Sequence, residues 1–259
     1  MPTPDLASHR EFIAELTAAS GPILRRHFWS PDLVVEQKSD LTPVTEADRS
    51  AEEAMRRLIN ARFPTHGIVA EELGPERADA EWVWVLDPID GTKSFVHGVP
   101  LFGTLIGLLH EGKPVLGAIH QPVLDLLCVG DGQSCELNGR PVRVRQTRSL
   151  AEATLLTTSA TNDLAQLHSP EARQRLLNAA GLVRTWGDCF GYLLVATGRA
   201  DVMGDGAAHS AWDVLPLVPI IRGAGGVITD WQGGEVGDRK SCIAANPRLH
   251  RMAMDLLLT

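Results

Sequence analysis

The sequence lacks an excess of basic residues. Its 259 residues include 24 lysines and arginines against 32 aspartates and glutamates, which gives a formal net charge of −8 and a pI of about 5.6. Proteins that bind nucleic acid or anionic membranes normally carry a basic stripe. We therefore expect neither partner, and the acidic balance also argues against a metal-dependent nuclease. An anionic substrate would need positive charge supplied locally, most simply by a bound metal ion.

Cysteine is scarce, and its spacing fits no common metal or redox motif. The four cysteines, at 128, 135, 189 and 242, form no C-x-x-C pair and no zinc-type spacing. The nine histidines form no H-x-x-x-H pair, so zinc-hydrolase chemistry is not expected. Free thiols in a reducing compartment are the natural interpretation, and we predict a cytoplasmic protein.

Long apolar runs, linkers and repeats are also missing. Residues 1–11 lack the basic and apolar segments of a signal peptide, and no stretch approaches the roughly 18 apolar residues of a membrane span. Without a Ser- or Pro-rich linker or an internal repeat, we predict one compact unit. Near residue 145 the predicted secondary structure changes from consecutive strands to alternating strands and helices, which indicates two halves. Residues 1–145 form an α+β half with most of the metal ligands proposed below, and residues 146–259 form an α/β half that completes the metal and substrate site.

Hydrophobic periodicity and turn residues predict the secondary structure. Helices are predicted over 5–28, with a candidate kink or split at Ser20-Gly21-Pro22, from 45 to 63, over 170–180, 191–198 and 212–222, and after Pro247. Strands are predicted at 67–70, 82–87, 101–109, 114–120, 124–129, 154–159, 182–186 and 227–230. Thr45 and Asp48 stand three residues apart at the start of the second helix, which is a variant of the capping box.

The most informative segment runs from Trp82 to Thr92. Its apolar, strand-like part ends in two carboxylates, Asp87 and Asp90, that can offer oxygens to Mg²⁺, and the intervening proline leaves the Ile89 carbonyl free as a further ligand. Gly91 and the residue after it allow backbone N–H groups to approach an anion. For an isolated D-x-x-D pattern, a turn in which aspartate caps a helix is the simpler alternative. The combination of carboxylates and accessible amides favours phosphate chemistry.

Three further acidic sites follow regular elements, namely Asp48, Glu71-Glu72 and Asp213. Each has a simpler explanation as a first-turn helix residue or a solvated loop acid. Carboxylates brought within about 4 Å of one another, however, repel by about 4 kcal/mol per pair at an effective dielectric constant of about 20. Convergence of these side chains would therefore require bound cations.

These motifs resemble those of the inositol monophosphatase-like family. The matching segments are Pro43-Val44-Thr45-Glu46-Ala47-Asp48, Glu71-Glu72, Asp87-Pro88-Ile89-Asp90-Gly91-Thr92, Trp212-Asp213 and Gly225-Gly226. They span nearly the whole chain. One departure is the Val-Leu-Pro-Leu-Val-Pro segment at 214–219, where the family usually has small residues. The resemblance implies an α+β fold, a layered αβαβα sandwich of the inositol monophosphatase/fructose-bisphosphatase type, which hydrolyses phosphate monoesters with Mg²⁺.

The resemblance also implies a set of metal ligands. Glu71, Asp87 and the Ile89 carbonyl would hold one Mg²⁺. Asp87, Asp90 and Asp213 would hold a second, with Asp87 bridging the two. A third, weaker Mg²⁺ would rest on Glu71 through water, so that two or three ions are expected.

Catalytic and phosphate-binding roles follow from the same resemblance. Thr92, hydrogen-bonded to Asp48 and with Glu71 nearby, would orient and deprotonate the attacking water. The backbone amides of Gly91 and Thr92 would hold the phosphate.

The substrate is indicated by two segments. Residues 185–192 and 40–48 resemble the histidinol-phosphate phosphatase branch of the family. Histidinol phosphate carries an ammonium and a titratable imidazole, so its site requires a carboxylate opposite the phosphate, whereas inositol requires neutral hydroxyl partners. Asp188 is the candidate for that carboxylate, and Asp205 is the second candidate. A helix N-cap is the alternative role for Asp188, and the two roles are compatible.

We therefore expect a histidinol-phosphate phosphatase of histidine biosynthesis that acts on a small phosphate monoester. The alternative within the same fold is an inositol-1-monophosphatase or a related sugar or nucleotide phosphatase. An alternative of another class is a non-catalytic anion-binding protein, which would not need Thr92, Asp48 and Glu71. The family commonly forms homodimers, and a homodimer is expected here from the resemblance alone.

Overall fold

A computed structural model describes residues 6–38, 42–159, 170–206, 210–237 and 241–258. The helices are α1 Ala7–His27, α2 Glu46–Arg62, α3 Thr92–Val96, α4 Pro170–Ala179, α5 Asp188–Ala196, α6 Ala211–Val214, α7 Leu217–Gly223 and α8 Pro247–Leu258. The strands are β1 Val35–Gln37, β2 Pro43–Thr45, β3 Gly67–Ala70, β4 Trp82–Asp90, β5 Gly103–His110, β6 Lys113–Gln121, β7 Leu126–Gly130, β8 Cys135–Leu137, β9 Arg140–Pro141, β10 Thr154–Leu156, β11 Leu182–Arg184, β12 Val202–Asp205, β13 Val227–Thr229 and β14 Cys242–Ala245. None of the described helices has the length and apolar character needed to cross a bilayer.

Two large sheets organise the chain. The first has seven strands in the order β3-β4-β5-β6-β7-β8-β9, with β3 and β4 parallel and the remaining neighbours antiparallel. The second has five strands in the order β11-β10-β12-β14-β13. A short antiparallel pair, β1 and β2, stands apart from both. The two large sheets lie on either side of the boundary predicted near residue 145, which remains a prediction.

Alternating side chains of the first sheet fill two different cores. Trp84 and Leu86 pack against α1 and α2, whereas Leu105 and Ile119 face the central helices α5 and α7. A third core lies between the second sheet and helices α4 and α8. The order of layers is therefore helices, sheet, helices, sheet, helices, which confirms the predicted αβαβα sandwich.

The prediction of one helix over 212–222 was wrong. The structure has two short helices there, α6 and α7, with Pro216 as the N-cap of α7 and Pro219 in its first turn. Proline is tolerated at these positions because the first amides of a helix have no intrahelical acceptor. A split of α1 at Ser20-Gly21-Pro22 was also wrong, since the helix continues through Pro22. Strands β1, β2, β8, β9, β12 and β14 were not among the predicted strands.

A row of glycines brings α7 onto the first sheet. Gly107 pairs with Gly117, and Gly117 pairs with Gly130, so the three lie side by side on β5, β6 and β7. A Cβ on Gly117 would collide with the carbonyl oxygen of Pro216, and one on Gly130 would collide with the backbone of Ile220. The bulky 214–219 segment therefore packs against a sheet surface that has no side chains in its way.

Replacing Gly117 with alanine is expected to destabilise the protein by about 3 kcal/mol or more, because backbone must move to admit the methyl group. Urea unfolding would measure the change. Gly204→Ala is the matched control, since a Cβ at this buried strand glycine would meet nothing nearer than Leu176 and Trp231 at 4.0 Å. Equal unfolding midpoints for the two variants would contradict the packing described here.

Candidate active site

The site begins at an irregularity in β4. Asp87 pairs with Leu105 and Asp90 with Gly103, so β4 has one residue more than its partner between these positions. In a regular strand, residues three apart point to opposite faces. The bulge corrects this alternation and lets both carboxylates face one side. The amide of Ile89 donates to Asp87 Oδ1 at 2.9 Å, which stabilises the turn within the bulge.

Asp213 joins these two carboxylates from the other half of the chain. It is the third residue of α6, and its Oδ2 accepts from the amide of Ser210 at 2.7 Å in a capping box. Carboxylate oxygens of Asp87, Asp90 and Asp213 all lie within 4.8 Å of one another. Two elements distant in sequence, β4 and α6, therefore bring three acids together.

The electrostatics of this cluster fit a divalent cation. Burial raises the pKa of Asp87 well above its usual value, and three neighbouring carboxylates add to the shift, Glu71 the most. Burial likewise raises the pKa of Asp90, with Asp188 and Asp213 adding to it. Such crowding is unfavourable without a cation, and oxygen ligands of this kind suit Mg²⁺. The donor set therefore matches the predicted metal.

Glu71 is placed next to this cluster, at the end of β3. It lines the same cavity, and its Oε1 also accepts from Lys38 Nζ at 2.7 Å. Lys38 reaches Glu72 Oε1 at 2.6 Å as well. Burial raises the pKa of Glu72 to about 7, although Lys38 opposes the shift. The lysine supplies one positive charge where the resemblance implies a cation.

The expected hydrogen bond between Thr92 and Asp48 is not formed. The Thr92 hydroxyl donates to the Ile89 carbonyl at 2.9 Å, while Asp48 Oδ2 accepts from the amide and hydroxyl of Thr45 at 2.8 and 2.6 Å. Asp48 serves as the third residue of the α2 capping box, as predicted. Its Oδ1 is buried with no hydrogen-bond partner, and burial raises the pKa of Asp48 to about 6. Asp48 is completely buried and is not among the residues that line the cavity.

Asp188 lies beside the proposed phosphate-binding turn. Gly91 has a φ of +87°, and a Cβ there would lie 2.9 Å from the Leu101 carbonyl and 3.1 Å from Asp188 Oδ2. Asp188 thus lies next to Gly91, and its place opposite the phosphate stays a prediction. The N-cap alternative was wrong, because Gly187 is the N-cap and Asp188 is the first residue of α5, with a φ of +51°. Burial, with Asp205 adding to it, raises the pKa of Asp188 to about 7.

Thr158 connects the two proposed substrate-binding carboxylates. Its hydroxyl donates to Asp205 Oδ2 at 2.5 Å and accepts from the amide of Asp188 at 3.0 Å. The next amide along, that of Cys189, donates to Asp90 Oδ2. Two successive amides at the start of α5 therefore contact the two acidic groups, one through Thr158 to Asp205 and the other directly to Asp90.

One cavity of about 300 Å³ contains most of these groups. Of the candidates taken from the sequence, it is lined by Glu71, Asp87, Ile89, Asp90, Gly91, Thr92, Asp188, Asp205 and Asp213. Lys93, Thr158 and Cys189 also line it and were missed, as was the contact of Lys38 with Glu71. Lys93 directly follows Gly91-Thr92, so its position in the motif would have indicated it. Thr158 carries no signal in the sequence.

Comparisons with known proteins agree with this geometry. The family model described as the inositol monophosphatase family matches residues 5–258. A histidinol-phosphatase from Chlorobaculum parvum is 40% identical over 96% of this chain and 95% of its own length. The bifunctional phosphatase IMPL2, chloroplastic, of Arabidopsis thaliana is 44% identical over 84% of this chain, which spans only 63% of that longer protein.

Solved structures show the same relationship. An inositol monophosphatase from Zymomonas mobilis superposes with a TM-score of 0.86 at 33% identity, covering 99% of this chain and 100% of its own. The family match extends over nearly all of the sequence, and the layered fold and the clustered carboxylates agree with it. The chain belongs to the inositol monophosphatase family and is a phosphatase.

Proposed function

We propose that this phosphatase hydrolyses histidinol phosphate to histidinol and inorganic phosphate, in histidine biosynthesis. The observation that carries the proposal is a second acidic group, Asp188 with Asp205, in the same cavity as the Asp87, Asp90 and Asp213 cluster. The similarity to a histidinol-phosphatase over nearly the full length supports it.

The position of Asp188 suits this substrate. In histidinol phosphate the ammonium is on the carbon next to the one that bears the phosphate ester. A carboxylate that pairs with it must therefore lie close to the phosphate, and Asp188 lies against Gly91. Asp205, held by Thr158, is left for the imidazole. Inositol phosphate has neutral hydroxyls at these places and would bring no cation to either carboxylate.

The family is Mg²⁺-dependent, and the carboxylates fit that ion. We assign Glu71, Asp87 and the Ile89 carbonyl to one Mg²⁺, and Asp87, Asp90 and Asp213 to a second, with a third on Glu71 through water. When bound there, Mg²⁺ would neutralise the phosphoryl oxygens, lower the pKa of a bound water and stabilise the leaving alkoxide.

The remaining residues bind the phosphate and move the proton of the attacking water. The amides of Gly91 and Thr92 hold the phosphate. Thr92 and Glu71 line the cavity and orient and deprotonate the water. Asp48 Oδ1 has no hydrogen-bond partner. It can accept a hydrogen bond from the Thr92 hydroxyl once that hydroxyl no longer donates to the Ile89 carbonyl.

We place the reaction in the cytoplasm. All four cysteines are free and buried, which supports a reducing compartment. A homodimer remains a proposal that rests on the family alone.

Phosphate release from histidinol phosphate and inositol 1-phosphate, measured side by side with Mg²⁺, tests the proposal. We expect preference for histidinol phosphate, loss of activity in EDTA, and recovery with excess Mg²⁺. Fructose 1,6-bisphosphate and adenosine 3′,5′-bisphosphate complete the panel. Preference for any of the other esters would refute the substrate assignment. Mg²⁺ binding without turnover of any ester would favour the non-catalytic anion-binding alternative.

A further inference from the structure

One stripe of α2 faces the loop that carries Glu71. Asp48, Glu52, Arg56 and Asn60 are spaced four residues apart, so they lie along one side of the helix. Glu52, Arg56 and Asn60 all contact the loop of residues 71–76. The helix that provides Asp48 is thus also the support for Glu71.

Glu52 makes the central contacts. Its side chain is completely buried, and its carboxylate accepts from the backbone amides of Glu72 at 2.8 Å and Leu73 at 3.1 Å. It also accepts from Arg56 Nε at 2.8 Å. A buried carboxylate is costly unless its charge is paired and its oxygens are hydrogen-bonded. Here both conditions are met, and two of the three donors are backbone groups directly after Glu71.

Arg56 and Asn60 extend the support to the far end of the loop. Arg56 donates to the Gly74 carbonyl and to Glu76 Oε1, the latter at 3.0 Å, and Asn60 Nδ2 donates to Glu76 Oε2 at 3.2 Å. The loop closes where Glu76 and Ile68 exchange two backbone hydrogen bonds of 2.8 Å. The backbone of Glu71 is therefore fixed before it by β3 and after it by α2.

We propose that Glu52 is a positioning residue, which sets the place of the Glu71 carboxylate by holding the amides of Glu72 and Leu73. The proposal rests on the assignment of Glu71 to a metal ion in the proposed function. Outer residues that orient a ligand typically contribute about 10- to 100-fold to metal affinity. A role confined to folding would change stability and leave metal affinity as it is.

The test compares Glu52→Gln with Glu76→Gln. Glutamine has one acceptor oxygen, so at least one of the three donors to Glu52 loses its partner. We expect Mn²⁺, titrated into the substrate-free protein and followed by electron paramagnetic resonance, to bind about 10- to 100-fold more weakly to Glu52→Gln. In the metal-free protein, the amides of residues 72 and 73 should exchange at least about tenfold faster.

Glu76→Gln is the matched control. It removes the other carboxylate that contacts Arg56 and leaves intact the two hydrogen bonds from the amides of Glu72 and Leu73 to Glu52. Its Mn²⁺ affinity should stay within about twofold of the unaltered chain, since Glu76 is substantially exposed. A Glu52→Gln protein with lowered thermal stability but unchanged Mn²⁺ affinity would overturn the proposal.

A second variant covers the case in which Glu52→Gln does not fold. Glu52→Asp keeps the negative charge beside Arg56 but shortens the side chain by one methylene, which withdraws the carboxylate from the amides of Glu72 and Leu73. Mn²⁺ affinity lowered several-fold supports the proposal, and unchanged affinity overturns it. Neither readout uses a phosphate ester, so a wrong substrate assignment leaves the test valid. Failure of the unaltered chain to bind Mn²⁺ would overturn the metal site and this proposal with it.

Discussion

Replacing Asp90 with asparagine is expected to lower turnover at saturating Mg²⁺ by more than about 100-fold while the protein stays folded. Asp90 Oδ2 accepts from the amide of Cys189, and the asparagine carbonyl can keep this bond. Its NH₂ group then replaces the other carboxylate oxygen, so one oxygen ligand is lost beside Asp87 and Asp213. The variant therefore retains the shape of the site but places a donor where the cation requires an acceptor.

Stability measurements distinguish this loss from unfolding. Removing one of three carboxylates within 4.8 Å of one another relieves repulsion, so the metal-free variant should melt at or above the temperature of the unaltered protein. The unaltered protein should be stabilised by added Mg²⁺ and the variant much less, because a ligand stabilises only the state that binds it. Asp125→Asn, at an exposed turn, is the control. Turnover above a tenth of normal in Asp90→Asn would refute the assignment.

The second large effect is expected at Asp188. Because its φ is +51°, alanine would strain the backbone, whereas asparagine tolerates the left-handed region and removes only the charge. Loss of a charge-assisted contact to the substrate ammonium should lower kcat/KM for histidinol phosphate by about 10- to 150-fold. For inositol 1-phosphate, kcat/KM should change by less than about threefold, because no cation faces this position.

The ratio of the two kcat/KM values is the informative quantity. Asp188→Asn changes the field around Asp90 for both substrates alike, so effects on the metal site cancel in the ratio. Asp205→Asn, measured in parallel, reports whether the carboxylate that contacts Thr158 contributes to the same selection. Equal losses for both substrates would remove Asp188 from substrate recognition.

The fold was predictable where periodicity is strong and local. The helices α1 and α2 and the strands of the first sheet have clear apolar patterns, and the capping box at Thr45 and Asp48 was evident from spacing alone. Strands β12 and β14 were not predicted because each has only four residues, all buried, without the alternation that identifies a half-exposed strand. Their structure depends on pairing with each other.

The site was predictable as a set of residues, but its contacts were not. The motifs indicated Asp87, Asp90 and Asp213, which the structure brings together. The hydrogen bond between Thr92 and Asp48 is not formed because the Thr92 hydroxyl donates its one hydrogen to the Ile89 carbonyl instead. The contact of Lys38 with Glu71 requires two segments 33 residues apart to meet. No local pattern encodes such a meeting.

The row of glycines on β5, β6 and β7 has a consequence for how firmly the two halves of the carboxylate cluster are joined. Helix α6, which carries Asp213, packs next to β4 and leads directly into the segment that rests on this row. Main chain lies against main chain there, so the gap between sheet and helix cannot be adjusted by changing rotamers. The separation between Asp213 and the β4 carboxylates is therefore set by direct contact between the two backbones. It should stay the same whatever side chains fill the surrounding core.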